Sequence, residues 1–269
     1  MPRWTAVIPV YNERDFLPAT LRSLAAQTTS CRVIVVDNGS KDGCIADAKE
    51  LVARLGLDAV FLEEPRPGQV HALKHGIDAA DSELIAICDA DTWYPPQYLA
   101  AAEAVFDRKG KSCVAACAML LPDAANSWRT RLTRWHKLGA ARLMPRQNHT
   151  SGAAQCFRLE TLRRAGGYDA GLWPFVLKDH ELMHRVLEYG TQGWDAYLWC
   201  ISSDRRRDRS GVRWTLQERL LYHVMPYRLK TWFFHDLLAP RFQARGMADT
   251  VLRARAWDGG EPPSAVGSA

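Results

Sequence analysis

A pair of aspartates two residues apart is the feature of this sequence with the clearest chemical potential. In Asp89-Ala90-Asp91 both carboxylates follow an apolar run, and residues i and i+2 on extended backbone point to the same side. Two carboxylates about 4 Å apart repel by about 4 kcal/mol at an effective dielectric of about 20, so such a pair indicates a cation. Mg²⁺ and Mn²⁺ prefer such oxygen ligands. The alternative is that the tripeptide only caps a helix or a turn.

Polar side chains also follow the three apolar runs that precede this pair. They occur in Tyr11-Asn12-Glu13, Asp37-Asn38-Gly39-Ser40 and Glu63-Glu64-Pro65-Arg66. Ligands of an open parallel sheet bind at the carboxyl ends of its strands, so we expect these residues to converge on one edge. The glycine-rich loops G-x-G-x-x-G and G-x-x-x-x-G-K-[ST], which hold phosphates, do not occur. This counts against dehydrogenases and P-loop enzymes and favours a metal as the partner of a diphosphate.

Alternating apolar runs and helical periods predict the elements that must position these residues. The pattern is typical of a mostly parallel α/β sheet flanked by helices, and Asp15 is the expected N-cap of the first helix. The predicted strands are 5–10, 32–36, 59–62, 84–88, 114–121, 153–158 and 193–199. The predicted helices are 16–26, 44–55, 69–80, 96–106 and 179–189, with more helices between 212 and 257.

Composition limits the class of protein. The 269 residues are 47% hydrophobic and 24% charged, with a formal charge of +5, which indicates a large folded domain rather than a disordered chain. Seven cysteines without a C-x-x-C pair argue against a disulfide framework or a structural zinc site. The sequence shows no signal-peptide pattern and no run of about 20 apolar residues. We therefore expect a reducing, cytoplasmic location.

The motifs, taken in order, resemble glycosyltransferase family 2, whose members have the GT-A fold. The resemblance covers about residues 4–206. It is carried by 7–13, 33–40, the spaced Gly68, Ala72, Gly76 and Ala80, then 89–92, 151–153, 165–169 and 178–182. It implies a Rossmann-like α/β sheet and a metal-dependent, inverting hexosyltransferase. The expected donor is a nucleotide-diphosphate sugar, UDP-linked, and the expected acceptor is a hydroxyl of a lipid or glycan intermediate.

The resemblance also implies a division of the chain. Residues 1–210 are expected to form the GT-A catalytic domain, with a nucleotide-binding half, 1–110, and an acceptor-binding half, 111–210. Residues 211–257 are the expected C-terminal helical extension. The remaining residues, 258–269, are rich in Gly, Pro, Ser and Ala, a composition typical of a flexible tail.

Carried over residue by residue, the resemblance assigns the donor side of the site. Asp89 would contact the ribose or metal-bound water, and Asp91 would ligate Mg²⁺ or Mn²⁺. The other nucleotide-binding residues expected from the family are Pro9, Tyr11, Glu13, Asp37 and Arg66. Tyr11 has the alternative of a surface aromatic in a turn, and Arg66, between two prolines, has that of a solvated cation.

The resemblance assigns the acceptor side as well. Asp179 would be the base that removes the proton of the acceptor hydroxyl; the family has a Glu-Asp pair where this chain has Lys178-Asp179. An ordinary N-cap is the alternative for Asp179. Further expected contacts are the sugar and acceptor residues Gly152, Ala153 and Trp173 and the diphosphate clamp Arg205 and Arg206. A buried core tryptophan and a solvated charge run are the respective alternatives for Trp173 and the arginines.

Basic and aromatic residues interleave in the C-terminal stretch 219–234. This pattern fits peripheral contact with a membrane interface, but it fits a packed helix or a dimer contact equally well. Two other functions stay open: a nucleotidyltransferase, against which the missing Gly-rich N-terminal loop counts, and a non-catalytic module that binds membrane or nucleic acid. We expect no nucleic acid partner, and the oligomeric state does not follow from the sequence.

Overall fold

A computed structural model of the chain describes residues 2–122, 127–147, 149–203 and 214–254. Its centre is an eight-stranded sheet with strand order β3-β2-β1-β4-β7-β6-β8-β5. The first four strands in this order are parallel to one another, and β7 runs antiparallel to both β4 and β6. The strands are β1 (Trp4–Val10), β2 (Cys31–Asp37), β3 (Ala59–Glu63), β4 (Leu84–Ile87), β5 (Thr92–Trp93), β6 (Cys113–Leu120), β7 (Gln155–Arg158) and β8 (Thr191–Ser202).

Helices cover both faces of this sheet. Among the described residues before 190, the α-helices are α1 (Leu17–Ala25), α2 (Cys44–Leu55), α3 (Gln69–Ala79), α4 (Tyr98–Lys109), α5 (Trp128–Leu143), α6 (Leu159–Arg164) and α7 (Lys178–Val186). After β8 come α8 (Leu216–Val224), α9 (Lys230–Trp232), a π-helical turn (Phe233–Leu238) and α10 (Ala239–Ala244). The last three follow one another without a break in helical backbone angles. The fold is therefore the mixed α/β arrangement, with a mostly parallel curled sheet, that the sequence predicts.

Alternation along the strands builds a separate core on each face of the sheet. On β1, Ala6 and Ile8 join the core formed with α1, α2 and α4, whereas Val7 joins the core formed with α3, α6 and α7. The period of two residues in a strand sends neighbouring side chains to opposite faces. Both faces of β1 are therefore excluded from solvent, as is usual for a central strand of a parallel sheet.

The C-terminal helices have a core of their own. Phe233, Phe234 and Phe242 pack with Trp173 in a cluster distinct from the two sheet cores. Phe233 and Phe234 belong to the stretch 219–234, and both are buried, as is Tyr222. Most of the aromatic surface that the sequence offered for membrane contact is thus used for packing. Trp232 stays about half exposed.

The structure corrects two local predictions. Asp15 does not cap α1, because the helix begins at Leu17 with Phe16 at the N-cap position and no side-chain cap. The short strand β5 was not predicted; it pairs antiparallel with the last residues of β8. A two-residue strand carries no periodicity, so only its partner in the sheet defines it.

Two sequence-wide expectations can be compared with the structure. All seven cysteines are buried with free thiols. Burial raises the pKa of the Cys31 thiol to about 12, which makes this side chain an unreactive core residue. Within the described ranges, none of the helices combines the length and apolar character needed to cross a bilayer.

Gly76 of α3 provides a test of how closely the helices pack on the sheet. A Cβ at Gly76 would overlap Val7 Cγ1 and lie 3.1 Å from Val36 Cγ2. We expect Gly76→Ala to lower the free energy of unfolding by about 1–3 kcal/mol, because overpacking a dense core strains it. Gly139 of α5 is the matched control, since a Cβ there meets nothing within 4 Å. Gly139→Ala should stabilise by up to about 1 kcal/mol, and equal losses in urea unfolding of both variants would contradict this packing.

Candidate active site

The Asp89-Ala90-Asp91 tripeptide lies at the carboxyl end of β4, as the sequence predicts. Asp91 is buried, and its Oδ2 accepts a hydrogen bond from Ser203 Oγ at 2.6 Å. The Ser203 backbone N–H donates to Asp91 O at 3.0 Å. Asp89 is partly exposed, and its Oδ1 accepts from Gln69 Nε2 at 3.2 Å. The start of α3 and the end of β8 therefore fix the two carboxylates.

Tyr94 connects this tripeptide to the turn at 152–154 that precedes β7. Its hydroxyl accepts from the Asp89 N–H at 3.1 Å and donates to Ala153 O at 3.0 Å. The ring is fully buried, and burial raises the pKa of the phenol well above its ordinary value. The hydroxyl therefore stays protonated and can donate to the carbonyl at any working pH. Sequence analysis missed this residue, because its partner Ala153 lies far along the chain.

Asp179 sits in the first turn of α7, next to the same loop. Its Oδ2 accepts from the Gly152 N–H at 3.0 Å. A Cβ at Gly152 would lie 3.3 Å from the Tyr168 hydroxyl and 3.6 Å from Asp179 Cβ, so the glycine allows this close approach. Asp89, Tyr94, the loop at Gly152 and Asp179 thus form one connected arrangement at the edge of the sheet.

The backbone before Asp179 is in an unusual conformation. Leu177 precedes α7 with φ +62°, the left-handed region, and is the N-cap residue without a side-chain cap. A bulky residue in this region stores strain of about 1–3 kcal/mol, and such strain clusters at functional sites. The N-cap alternative for Asp179 is therefore wrong, because Asp179 lies inside the helix. At this position a negative charge is favoured by the helix dipole.

The loops after β1 and β2 are hydrogen-bonded to each other on the predicted nucleotide side. Asn12 has φ +53°; its N–H donates to Ser40 Oγ, and its Oδ1 accepts from the Lys41 N–H at 2.7 Å. Asp37 Oδ1 accepts from the Ser40 N–H at 2.9 Å. Tyr11 and Glu13, on either side of Asn12, are partly exposed. The crossed bonds hold these side chains, together with Asp37, at one edge.

Pro9 and Arg66 occupy different environments. Pro9 is buried within β1 and pairs in register with Val36. Arg66 is mostly exposed, but its guanidinium donates to both carboxylate oxygens of Glu64. This ion pair lowers the pKa of the buried Glu64 carboxyl to about 2. Contact of Pro9 or Arg66 with a nucleotide stays a prediction.

Two of the predicted sugar and acceptor contacts are corrected. Trp173 is 2% exposed, its rings pack edge to face against Phe175 and Phe234, and its Nε1 donates to Val176 O. The indole has no free face on which a sugar could stack. Ala153 is fully buried, and its carbonyl accepts the bond from Tyr94. Gly152 keeps partial exposure, whereas Arg205 and Arg206 lie outside the described residues.

A residue from the C-terminal segment also reaches the site. Asp249 Oδ2 accepts from the Val70 N–H at the start of α3, and its Oδ1 forms an ion pair with Lys178. Asp249 thereby joins the helix that follows Gly68 to the helix that carries Asp179. The sequence offers no signal for this contact, because Val70 and Asp249 are 179 residues apart.

The arrangement offers two carboxylates to a divalent cation. Across the described ranges, no group of three or more His, Cys, Asp and Glu side chains is placed to hold a metal alone. Mg²⁺ and similar ions are commonly held by one or two carboxylates together with substrate phosphates. The donor set of Asp89 and Asp91 fits that type of site, in which the diphosphate completes the coordination.

Comparison with known proteins identifies the family. The model of Glycosyl transferase family 2 matches residues 5–164, more than half of the chain. The chain belongs to this family. An uncharacterized glycosyltransferase of Mycobacterium bovis is 40% identical over 87 residues, which are 32% of this chain and 36% of that protein. The matched segments span between 23% and 36% of the curated relatives' own length.

Solved structures show the same fold. The mannosyltransferase PcManGT of Pyrobaculum calidifontis, in complex with GDP-Man and Mn²⁺, superposes with a TM-score of 0.66 at 20% identity, covering 97% of this chain and 77% of that one. S. aureus TarS 1–349 in complex with UDP-GlcNAc superposes with a TM-score of 0.58 at 14% identity, covering 90% and 73%. The fold of the chain is therefore GT-A.

The Tyr94 bridge can be tested by removing one oxygen atom. Tyr94→Phe leaves the Asp89 N–H and the Ala153 carbonyl without their shared partner, and we expect the free energy of unfolding to fall by about 1–3 kcal/mol. Tyr98→Phe is the matched control, because this neighbouring tyrosine is equally buried and its hydroxyl contacts the Cys156 thiol at 3.6 Å. A hydrogen bond to a thiol is weak, so the free energy of unfolding of the control variant should fall by less than about 1 kcal/mol. Equal losses in denaturant unfolding would refute a special role for Tyr94.

Proposed function

We propose that this chain transfers a sugar from a nucleoside-diphosphate sugar to a hydroxyl acceptor with inversion at the anomeric carbon. The observation that carries the proposal is the connected arrangement of Asp89, Tyr94, Gly152 and Asp179 at the carboxyl edge of the sheet. This arrangement joins the Asp89 and Asp91 carboxylates, proposed to face the diphosphate, to the separate carboxylate of Asp179, proposed to face the acceptor. Family membership supports glycosyl transfer over the two alternatives, nucleotidyl transfer and a non-catalytic module.

On the donor side, we propose that Asp91 and Asp89 hold Mg²⁺ or Mn²⁺. When bound, the metal neutralises charge that develops on the leaving diphosphate. Ser203 and Gln69 orient the two carboxylates by donating to them. Tyr11 and Glu13, in the loop after β1, and Asp37, the last residue of β2, would line the nucleotide. The expected nucleotide is UDP. The complexes of structural neighbours with GDP-Man and UDP-GlcNAc are consistent with this donor class.

On the acceptor side, we propose that Asp179 takes the proton of the attacking hydroxyl. Its Oδ2 is occupied by the Gly152 N–H, which fixes the carboxylate plane and leaves Oδ1 as the atom for the proton. A base separate from the leaving diphosphate favours direct displacement, in which the acceptor attacks from the opposite face. An α-linked donor would then give a β-linked product. The acceptor class, a lipid or glycan hydroxyl, belongs to the same proposal.

Asp91→Asn tests the donor half. The amide keeps an oxygen near Ser203 but removes the charge, and we expect Mn²⁺-dependent UDP binding to weaken by at least about a hundredfold, because even outer-shell partners of a metal are worth about 10–100-fold in affinity. Isothermal titration calorimetry with and without Mn²⁺ measures this. Asp236→Asn, an exposed carboxylate on the C-terminal helices, is the control and should bind as the wild type does. Unchanged binding by the Asp91 variant would exclude this residue as a ligand.

Asp179→Asn tests the acceptor half. The asparagine oxygen can still accept from the Gly152 N–H, so the loop should keep its geometry while the base is lost. We expect kcat to fall by about 10²–10⁴, the usual worth of a general base, with the Kd for donor unchanged. Turnover is followed as release of the nucleoside diphosphate with a panel of sugars and acceptors. A variant with normal kcat would show that another group takes the proton.

A further inference from the structure

Helix α5 presents an apolar stripe to solvent. Trp128, Leu132, Trp135 and Leu143 are 70%, 54%, 75% and 84% exposed. Their spacings of four, three and eight residues place them on one side of the helix. Trp128, Leu132 and Trp135, with Arg131, border one shallow depression. Single exposed apolar residues are ordinary, but a contiguous stripe with two tryptophans marks an interaction surface.

An adjacent side of α5, which carries Arg134 and Leu138, is the one held by the protein. Leu138 packs on a small cluster with Trp199 of β8, and the Arg134 guanidinium lies 5.6 Å from the Trp199 ring. Beyond the helix, Gln192 Nε2 donates to Pro145 O, and Gln147 Nε2 donates to Met225 O. The helix is thus anchored along its inner side and its C-terminal end. The tryptophan stripe is not needed for these contacts.

Charge identifies the partner. The stretch 127–147 contains six basic residues, Arg129, Arg131, Arg134, Lys137, Arg142 and Arg146, and no Asp or Glu. The chain has 35 Lys and Arg, so those outside the stretch number 29, against 30 Asp and Glu. The net positive charge of the protein therefore resides in this one stretch. The same face of a second copy of the chain would be repelled by such a surface, whereas an anionic bilayer would attract it.

We propose that the outward face of α5 docks on the surface of an anionic phospholipid bilayer. Tryptophan and leucine on one side, flanked by arginine, is the pattern of a helix lying in the plane of a membrane interface. A second exposed apolar row, Leu216, Leu220 and Val224, lies on α8. Met225, which follows that helix, receives the bond from Gln147 beyond the end of α5. The α5 face itself is separate from the C-terminal stretch 219–234, which contains Leu220 and Val224 and whose Phe233 is buried.

Vesicle flotation of the full chain tests the proposal without donor or turnover, so it is independent of the proposed function. We expect binding to vesicles of phosphatidylcholine with phosphatidylglycerol, weak binding to phosphatidylcholine alone, and loss of binding at high salt. Trp128→Ser/Trp135→Ser and, separately, Arg131→Glu/Arg142→Glu should each weaken partitioning by about tenfold or more. All four positions are exposed, so thermal unfolding should be unchanged in both variants.

Leu55→Ser and Arg54→Glu are the controls, because both residues are exposed on α2, which packs on α1. They should bind vesicles as the wild type does. The proposal is overturned if the wild type does not float with phosphatidylglycerol vesicles, or if the α5 variants float equally well. It is also overturned if light scattering shows a dimer that Trp128→Ser/Trp135→Ser abolishes, since the stripe would then be a contact between copies.

Discussion

The Tyr94 hydroxyl is the contact on which the geometry of the site depends. It accepts from Asp89 N–H and donates to Ala153 O, so one oxygen fixes the end of a parallel strand against a loop from the antiparallel part of the sheet. Its ring is fully buried, and a hydrogen bond in such surroundings is costly to leave unmade. The separation between Asp89 after β4 and the loop at Ala153 is therefore set by a buried side chain of the core.

Backbone strain occurs at two positions close to the candidate site residues. Leu177 and Asn12 are the non-glycine residues with positive φ in the described ranges. Leu177 precedes the helix of Asp179, and Asn12 lies in the loop after β1. Crossed hydrogen bonds to Ser40 and Lys41 offset the strain at Asn12. Val176 and Leu182, on either side of Leu177, are buried. Their packing holds the backbone at Leu177 in its strained conformation. The packed core thus maintains backbone conformations that these residues would not adopt alone.

Local patterns predicted the fold and the carboxylates but not what holds them. The four βα units follow from periodicity, and Asp89 and Asp91 follow from a strand and a tripeptide. Ser203, the partner of Asp91, lies 112 residues away, and no local pattern reports such a contact. Trp173 shows the converse error: tryptophan suits a sugar face and a core equally, and only the tertiary neighbours, here Phe175 and Phe234, decide between them.

The helix of Asp179 and the α5 surface are connected through α8. His180, next to Asp179, lies with its Nδ1 3.0 Å from the Tyr222 hydroxyl of α8, and the residue after α8 is bonded to Gln147 beyond α5. A protein docked through α5 would therefore hold the helix of Asp179 at a fixed height above the lipid surface. A hydroxyl carried by a lipid would be confined to two dimensions and presented near that height, which reduces the entropy lost when acceptor and base meet. On the proposed docking, a lipid-linked acceptor would gain this advantage, whereas a diffusing glycan acceptor would not.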